Sequence, residues 1–192
     1  MRYYHIDIFI NNIFNKKGYG VMKSFLLMLI IFSSLLYSQE GSSKIYDPCE
    51  LLTTEDIQTI FPKSIIKRTT HDLKPANPLG IRRCFWEADG EDMKFVQLII
   101  ASDEEARMKV ADQFANNKEF IEHVEPVEGI GDESYYGGSG LKAGAGLHVL
   151  LRSKGVLLGV MVGLGFGNSD KQKHIEIEKS LAIKAIEKIE KE

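Results

Sequence analysis

The chain has 192 residues, 44% of them hydrophobic and 27% charged, with a formal net charge of -3. Two Cys, 5 Pro and 17 Gly exclude a disulfide-dense mini-scaffold, a collagen-like repeat and a low-complexity disordered chain. A slightly negative mean hydropathy excludes a polytopic membrane protein, and the negative charge argues against an electrostatic nucleic-acid binder.

Met22-Lys23 precedes an apolar run over residues 25–37. A spanning helix needs about 20 apolar residues, so this run has the length of a signal-peptide core instead. Cleavage is expected after Ser38, with no transmembrane segment remaining. Residues 1–21 read either as a mis-assigned upstream extension, with Met22 as the start of translation, or as a long n-region of the signal; 22–38 reads as the signal peptide, 39–46 as a polar leader and 47–192 as one domain. No Cys lies near the end of the apolar run, so nothing there can carry a lipid. The expected location is the periplasm or the exterior. Processing removes Arg2, Lys16, Lys17 and Lys23 but only Asp7, leaving a more acidic mature chain.

In the mature part, Thr53 or Thr54 caps a short helix with Asp56 in capping-box position, and Pro62 stops it. Ser64 to Thr70 reads as a strand, and Asn77 to Gly80 as a turn. Arg82–Ala88 and Met93–Ala101 read as a hairpin joined at Asp89-Gly90. The second of these strands is apolar on both faces, which predicts an interior position. Ser102-Asp103-Glu104-Glu105 has the capping-box pattern, followed by Val110, Ala111, Phe114 and Ile121 on one helical stripe. Glu125-Pro126 opens a loop and Glu133 to Tyr136 is a strand. Leu147–Arg152 and Val156–Val162 form a second hairpin around Ser153-Lys154-Gly155. From Asp170 a last helix places Leu181, Ala182, Ala185, Ile186 and Ile189 on one stripe. The expected fold is α+β, with an antiparallel sheet of five to six strands, helices on one face, and a helix–meander–helix–meander–helix order.

Cys49 and Cys84 are the only cysteines. An even count in an exported chain favours a structural disulfide closing a loop of about 35 residues. A redox pair and a zinc site are the competing readings. The Cys-x-x-Cys spacing of the first and the closely spaced four-ligand pattern of the second are both absent from the sequence.

Three segments occur in order: Asp47-Pro48-Cys49-Glu50-Leu51-Leu52-Thr53, Cys84-Phe85-Trp86-Glu87, and Gly129-Ile130-Gly131-Asp132-Glu133-Ser134-Tyr135. With the Val/Leu hairpin and the C-terminal helix they resemble an uncharacterised family of exported bacterial lipoproteins, best known from actinobacteria, over residues 47–190. The resemblance implies that Cys49 pairs with Cys84 and that the chain is extracytoplasmic. It carries no catalytic or ligand-binding residue, and the missing lipidation Cys departs from the family pattern.

Catalytic patterns are mostly absent. Gly163–Gly167 and Gly137–Gly140 lack phosphate-loop spacing, and Leu141 stands where a Gly-x-Ser-x-Gly nucleophile elbow around Ser139 needs its second glycine. His71 with Asp72, and His123 with Glu125, offer a base and an orienting acid but nothing in the sequence joins them. Asp89, Glu91 and Asp92 crowd a turn without EF-hand spacing. His148 sits in a strand among apolar neighbours. Phe85 and Trp86 alternate across a strand, so one ring is offered to solvent if the other is core. Trp86, Tyr135, Tyr136 and the loop Gly138-Ser139-Gly140 form the candidate ligand or partner surface, with Met161, Val162 and Leu164 extending it. No cofactor or metal is expected. The resulting expectation is a non-enzymatic binding or accessory module for an unknown protein or small ligand. The alternatives are a cell-envelope hydrolase with a loop-borne site, and an inhibitor or accessory subunit docking through a sheet face.

Overall fold

The computed structural model describes residues 44–191 except 91, 122 and 139–144. The expected signal segment 22–38, the stretch 1–21, leader residues 39–43, and the candidates Ser139 and Gly140 lie outside the described residues.

The domain opens with two short helices, α1 (Pro48–Leu51) and α2 (Thr54–Gln58). Each start is written in the sequence. Asp47 caps α1, with Pro at the first turn, and Thr53 caps α2 in a reciprocal capping box with Asp56. Strands β1 (Ile66–His71), β2 (Arg82–Ala88) and β3 (Lys94–Ser102) follow as a meander. Helix α3 (Val110–Phe120) leads to β4 (Glu125–Pro126), β5 (Glu133–Gly137), β6 (Gly146–Leu151) and β7 (Val156–Leu164), and α4 (Lys171–Lys191) ends the chain. The strands form one sheet in the order β1-β2-β3-β7-β6-β5-β4, antiparallel throughout. β3 lies between β2 and β7, the interior place that its two apolar faces predict.

Side-chain alternation divides the sheet into two packed layers. On one face Trp86, Val96, Leu98, Leu147, Val149, Leu158 and Val160 pack beneath Leu51, Leu52 and Ile57. The stripe Leu181, Ala182, Ala185, Ile186 and Ile189 of α4 covers the same face. On the other face Ala101, Leu150, Leu157 and Tyr135 meet Val110 and Phe114 of α3. Helices therefore cover both faces, which corrects the one-face expectation. Periodicity shows that a helix has an apolar stripe but not which side of the sheet receives it.

Seven strands replace the expected five to six. The additional one is β4, where a loop was expected. Its two residues are too few to carry a period-2 signal, and they are fixed by pairing with Tyr136 and Tyr135. The capping box expected at Ser102–Glu105 does not form. Glu105 is held by the Arg82 guanidinium, with Arg82 Nε donating to Oε2 at 2.7 Å. Asp103 Oδ1 instead accepts from the Val110 amide at 2.7 Å, so the helix begins at Val110. Among the described residues no helix is long and apolar enough to cross a membrane.

Candidate functional site

The part of the sheet that α3 leaves uncovered carries half-buried side chains from β2, β3 and β7. In register, one row runs Phe85–Gln97–Met161. The next runs Arg83–Ile99–Gly159–His148–Tyr135, and a third runs Glu87–Phe95–Gly163. Phe85 and Phe95 lie diagonally and stack, with centroids 5.2 Å apart and planes at 21°. Two glycines on β7 shape this floor. A Cβ at Gly159 would fall 2.5 Å from Ile99, and one at Gly163 would fall 2.4 Å from the Phe95 ring. The neighbouring side chains thus lie across backbone where another residue would lift them.

At the flank of this face His148 stacks on Tyr135 at 4.8 Å, and Tyr135 tilts against Phe114 at 4.9 Å. Burial pushes the His148 imidazole down to about 4 and the Tyr135 phenol up to about 12. Both rings are therefore neutral near pH 7. Gln97 is central among the half-buried apolar side chains, and charged groups stand toward the margin: Arg83 tied to Asp72 at 2.8 Å, and Glu87 in register with Lys67.

A second concentration of chemistry lies where α1 meets the β1–β2 hairpin. Cys49 and Cys84 form a disulfide with a Cα–Cα distance of 5.2 Å. Asp47 Oδ1 accepts from the Cys49 amide at 2.8 Å, while Oδ2 is 2.7 Å from His71 Nε2. His71 is the register partner of Cys84. The potential ligand atoms of Asp47, Cys49 and His71 lie within 4.8 Å of one another.

A third group sits under α4. Glu178 is fully buried and accepts from the Val162 amide at 3.0 Å. Burial pushes its carboxyl up to about 8, outweighing the opposing pull of the Val162 and Leu147 amides. Burial, together with the charges of Glu178 and Glu125, raises Tyr136 to about 12. His174 Nδ1 stands 3.9 Å from Glu178, and burial lowers its imidazole.

The described members of the surface expected from sequence are buried. Trp86 is 1% exposed and Tyr135 and Tyr136 are 0% and 8% exposed; all three are core residues, and Gly138 is buried. The exposed partner of the Phe85–Trp86 pair is Phe85, because Trp86 shares the parity of Val96 under the helices. His71 engages Asp47 rather than Asp72, and Asp72 engages Arg83. Asp89 holds the Ile65 amide at 2.7 Å, and Asp92 pairs with Lys94. Glu125 pairs with Lys171. Met161 does lie on the open face, whereas Val162 points into the core. Phe95, Gln97 and Ile99 were legible only as one face of a doubly apolar strand.

The Gly129–Asp132 segment is structural. Gly131 has φ +61, and Asp132 Oδ2 accepts from the Arg152 amide at 2.6 Å. A cavity of about 240 Å³ beside it is lined by Gly131, Asp132, Leu151, Ser153, Lys154 and Glu190.

The fold thus defines a single-disulfide α+β domain built on a seven-stranded antiparallel sheet. No known protein family matches the sequence, and neither the curated proteins nor the solved structures hold one significantly similar to it.

Proposed function

We propose that this chain is an exported, non-enzymatic binding or accessory module that receives a neutral, partly apolar ligand on the open sheet face. The observation that carries the reading is the stacked Phe85–Phe95 pair, set among half-buried Gln97, Ile99 and Met161 on the side away from α1, α2 and α4. Aromatic rings left partly in solvent around one central amide suit recognition by stacking with a single orienting hydrogen bond. Export is supported by the apolar run at 25–37 and by the disulfide, a bond favoured in oxidising compartments. The resemblance to exported lipoprotein-like domains points the same way. The hydrolase alternative gains nothing at the Asp47–His71 pair, because the adjacent sulfur is committed to the bridge.

Native mass spectrometry of protein exported by its own host and gently purified tests the reading. The expected spectrum has a mass consistent with loss of residues 1–38 or 22–38, a two-hydrogen deficit for the disulfide, and an adduct. The adduct is expected to be lost in the Met161→Asp variant. A spectrum with the precursor intact overturns export. An adduct retained by Met161→Asp and by Phe85→Asp overturns the open face as its site.

A further inference from the structure

We propose that reduction of the Cys49–Cys84 bridge creates a zinc site made by Cys49, Cys84, His71 and Asp47. Four side chains of zinc-ligating type converge here from separate stretches of chain. Asp47 and Cys49 bracket the start of α1, and His71 and Cys84 face each other across β1 and β2. The ligand atoms of Asp47, Cys49 and His71 already fall within 4.8 Å of one another, and Cys84 is bonded to one of them. Two thiolates, an imidazole and a carboxylate form an acceptable tetrahedral set for Zn²⁺. The Asp47 and His71 side chains are 24% and 28% exposed, so the ion has a way in from solvent. The Cys49 amide on Oδ1 fixes the carboxylate, and so leaves Oδ2 turned to the site.

In the oxidised chain the two sulfurs satisfy each other and only two ligands remain, too few for tight binding. A water-soluble phosphine opens the bridge. It takes the oxygen of water to become the phosphine oxide, and two electrons and two protons convert the disulfide to two thiols. Zn²⁺ then displaces both thiol protons to solvent. It also takes the place of the proton between His71 Nε2 and Asp47 Oδ2, leaving the imidazole protonated on Nδ1. The junction thus has two alternative cross-links, a covalent bond when oxidised and an ion when reduced. Because the site assembles only in the fold, metal binding adds to folding stability.

The test is titration of phosphine-reduced protein with Co²⁺, then Zn²⁺, followed by absorption and by melting temperature. Reduced wild type is expected to take one equivalent, with thiolate-to-cobalt charge transfer and the intense visible bands of tetrahedral cobalt. Its melting temperature should rise with metal, while oxidised protein shows neither change. His71→Ala and Asp47→Asn should each weaken binding by roughly tenfold or more. Asn still caps α1, so the second variant removes the ligand charge without removing the cap. The proposal is overturned if reduced wild type binds no Co²⁺, or if both variants bind as wild type does. Metal uptake without recovery of the melting transition also overturns it, since the thiols of an unfolded chain would explain such binding.

Discussion

Glu178 on α4 accepts a hydrogen bond from the Val162 amide on β7 at 3.0 Å, with no solvent at its carboxyl. Burial raises the Glu178 carboxyl from an ordinary 4.5 to about 8. The folded chain therefore keeps a proton that the unfolded chain releases. A raised value means stability that is full below about 4.5, falls as pH rises, and is lost above about 8. The loss is on the order of a few kcal/mol. Glu178→Gln keeps an acceptor for Val162 but cannot ionise. Melting temperatures should match wild type near pH 4 and exceed it near pH 9. A wild-type melting temperature that stays flat from pH 5 to 9 would contradict this account. His174, lowered by burial, acts in the opposite direction, losing stability as pH falls below its ordinary 6.5, so the Glu178 effect stands clear of it only above that value.

The disulfide closes a loop across a sequence separation of 35 and joins α1 to β2, an interior strand of the sheet. Chain-entropy reasoning gives it about 3–4 kcal/mol. The Cys49→Ser/Cys84→Ser variant should lose about that much in denaturant titrations, with a somewhat steeper slope because the unfolded chain without its cross-link exposes more surface. A chelator belongs in the buffer of the reduced wild-type control, so that no metal substitutes for the bond.

What was legible in the sequence is local, and what was missed is distant. Thr53 and Asp56 lie three residues apart and form the reciprocal cap their spacing suggests. The Ser102–Glu105 pattern looked equally good but failed, because Arg82, 23 residues before Glu105 in the chain, engages Glu105. A capping box is worth little more than one hydrogen bond, whereas a bidentate guanidinium pair is stronger, so the tertiary contact prevails. The same limit applies at the sites. His71 was read with its neighbour Asp72, yet its partner is Asp47, 24 residues away. Phe85 and Trp86 were correctly placed on opposite faces, but which face receives helices was set by α4, far along the chain.

Glycines offer a contrast within one structure. Gly131 has φ +61, and a Cβ there would fall 2.4 Å from Val149 Cγ1 and 2.9 Å from the Leu150 carbonyl oxygen. Gly167 has φ +73 with nothing within 4 Å. Gly167→Ala should cost about 1–2 kcal/mol from backbone strain alone. Gly131→Ala should cost about 1–3 kcal/mol more, since β6 backbone stands in the way. Equal losses in paired unfolding measurements would show that the turn relaxes away from β6.

Adjacent aromatic residues separate stability from recognition. Trp86 is sealed between the sheet and the helices, and Trp86→Ala should cost about 3–5 kcal/mol. Phe85 is half-buried on the open face and contacts Phe95. Phe85→Ala should cost clearly less, because solvent already reaches the ring and little cavity is left behind. If the open face is the binding surface, Phe85→Ala should also abolish the native adduct at temperatures where the variant is folded. Trp86→Phe keeps an aromatic ring in the core and removes an indole N–H that has no partner there. That variant should remain folded and keep the adduct. Loss of the adduct in Trp86→Phe with retention in Phe85→Ala would place recognition on the helix-covered side instead.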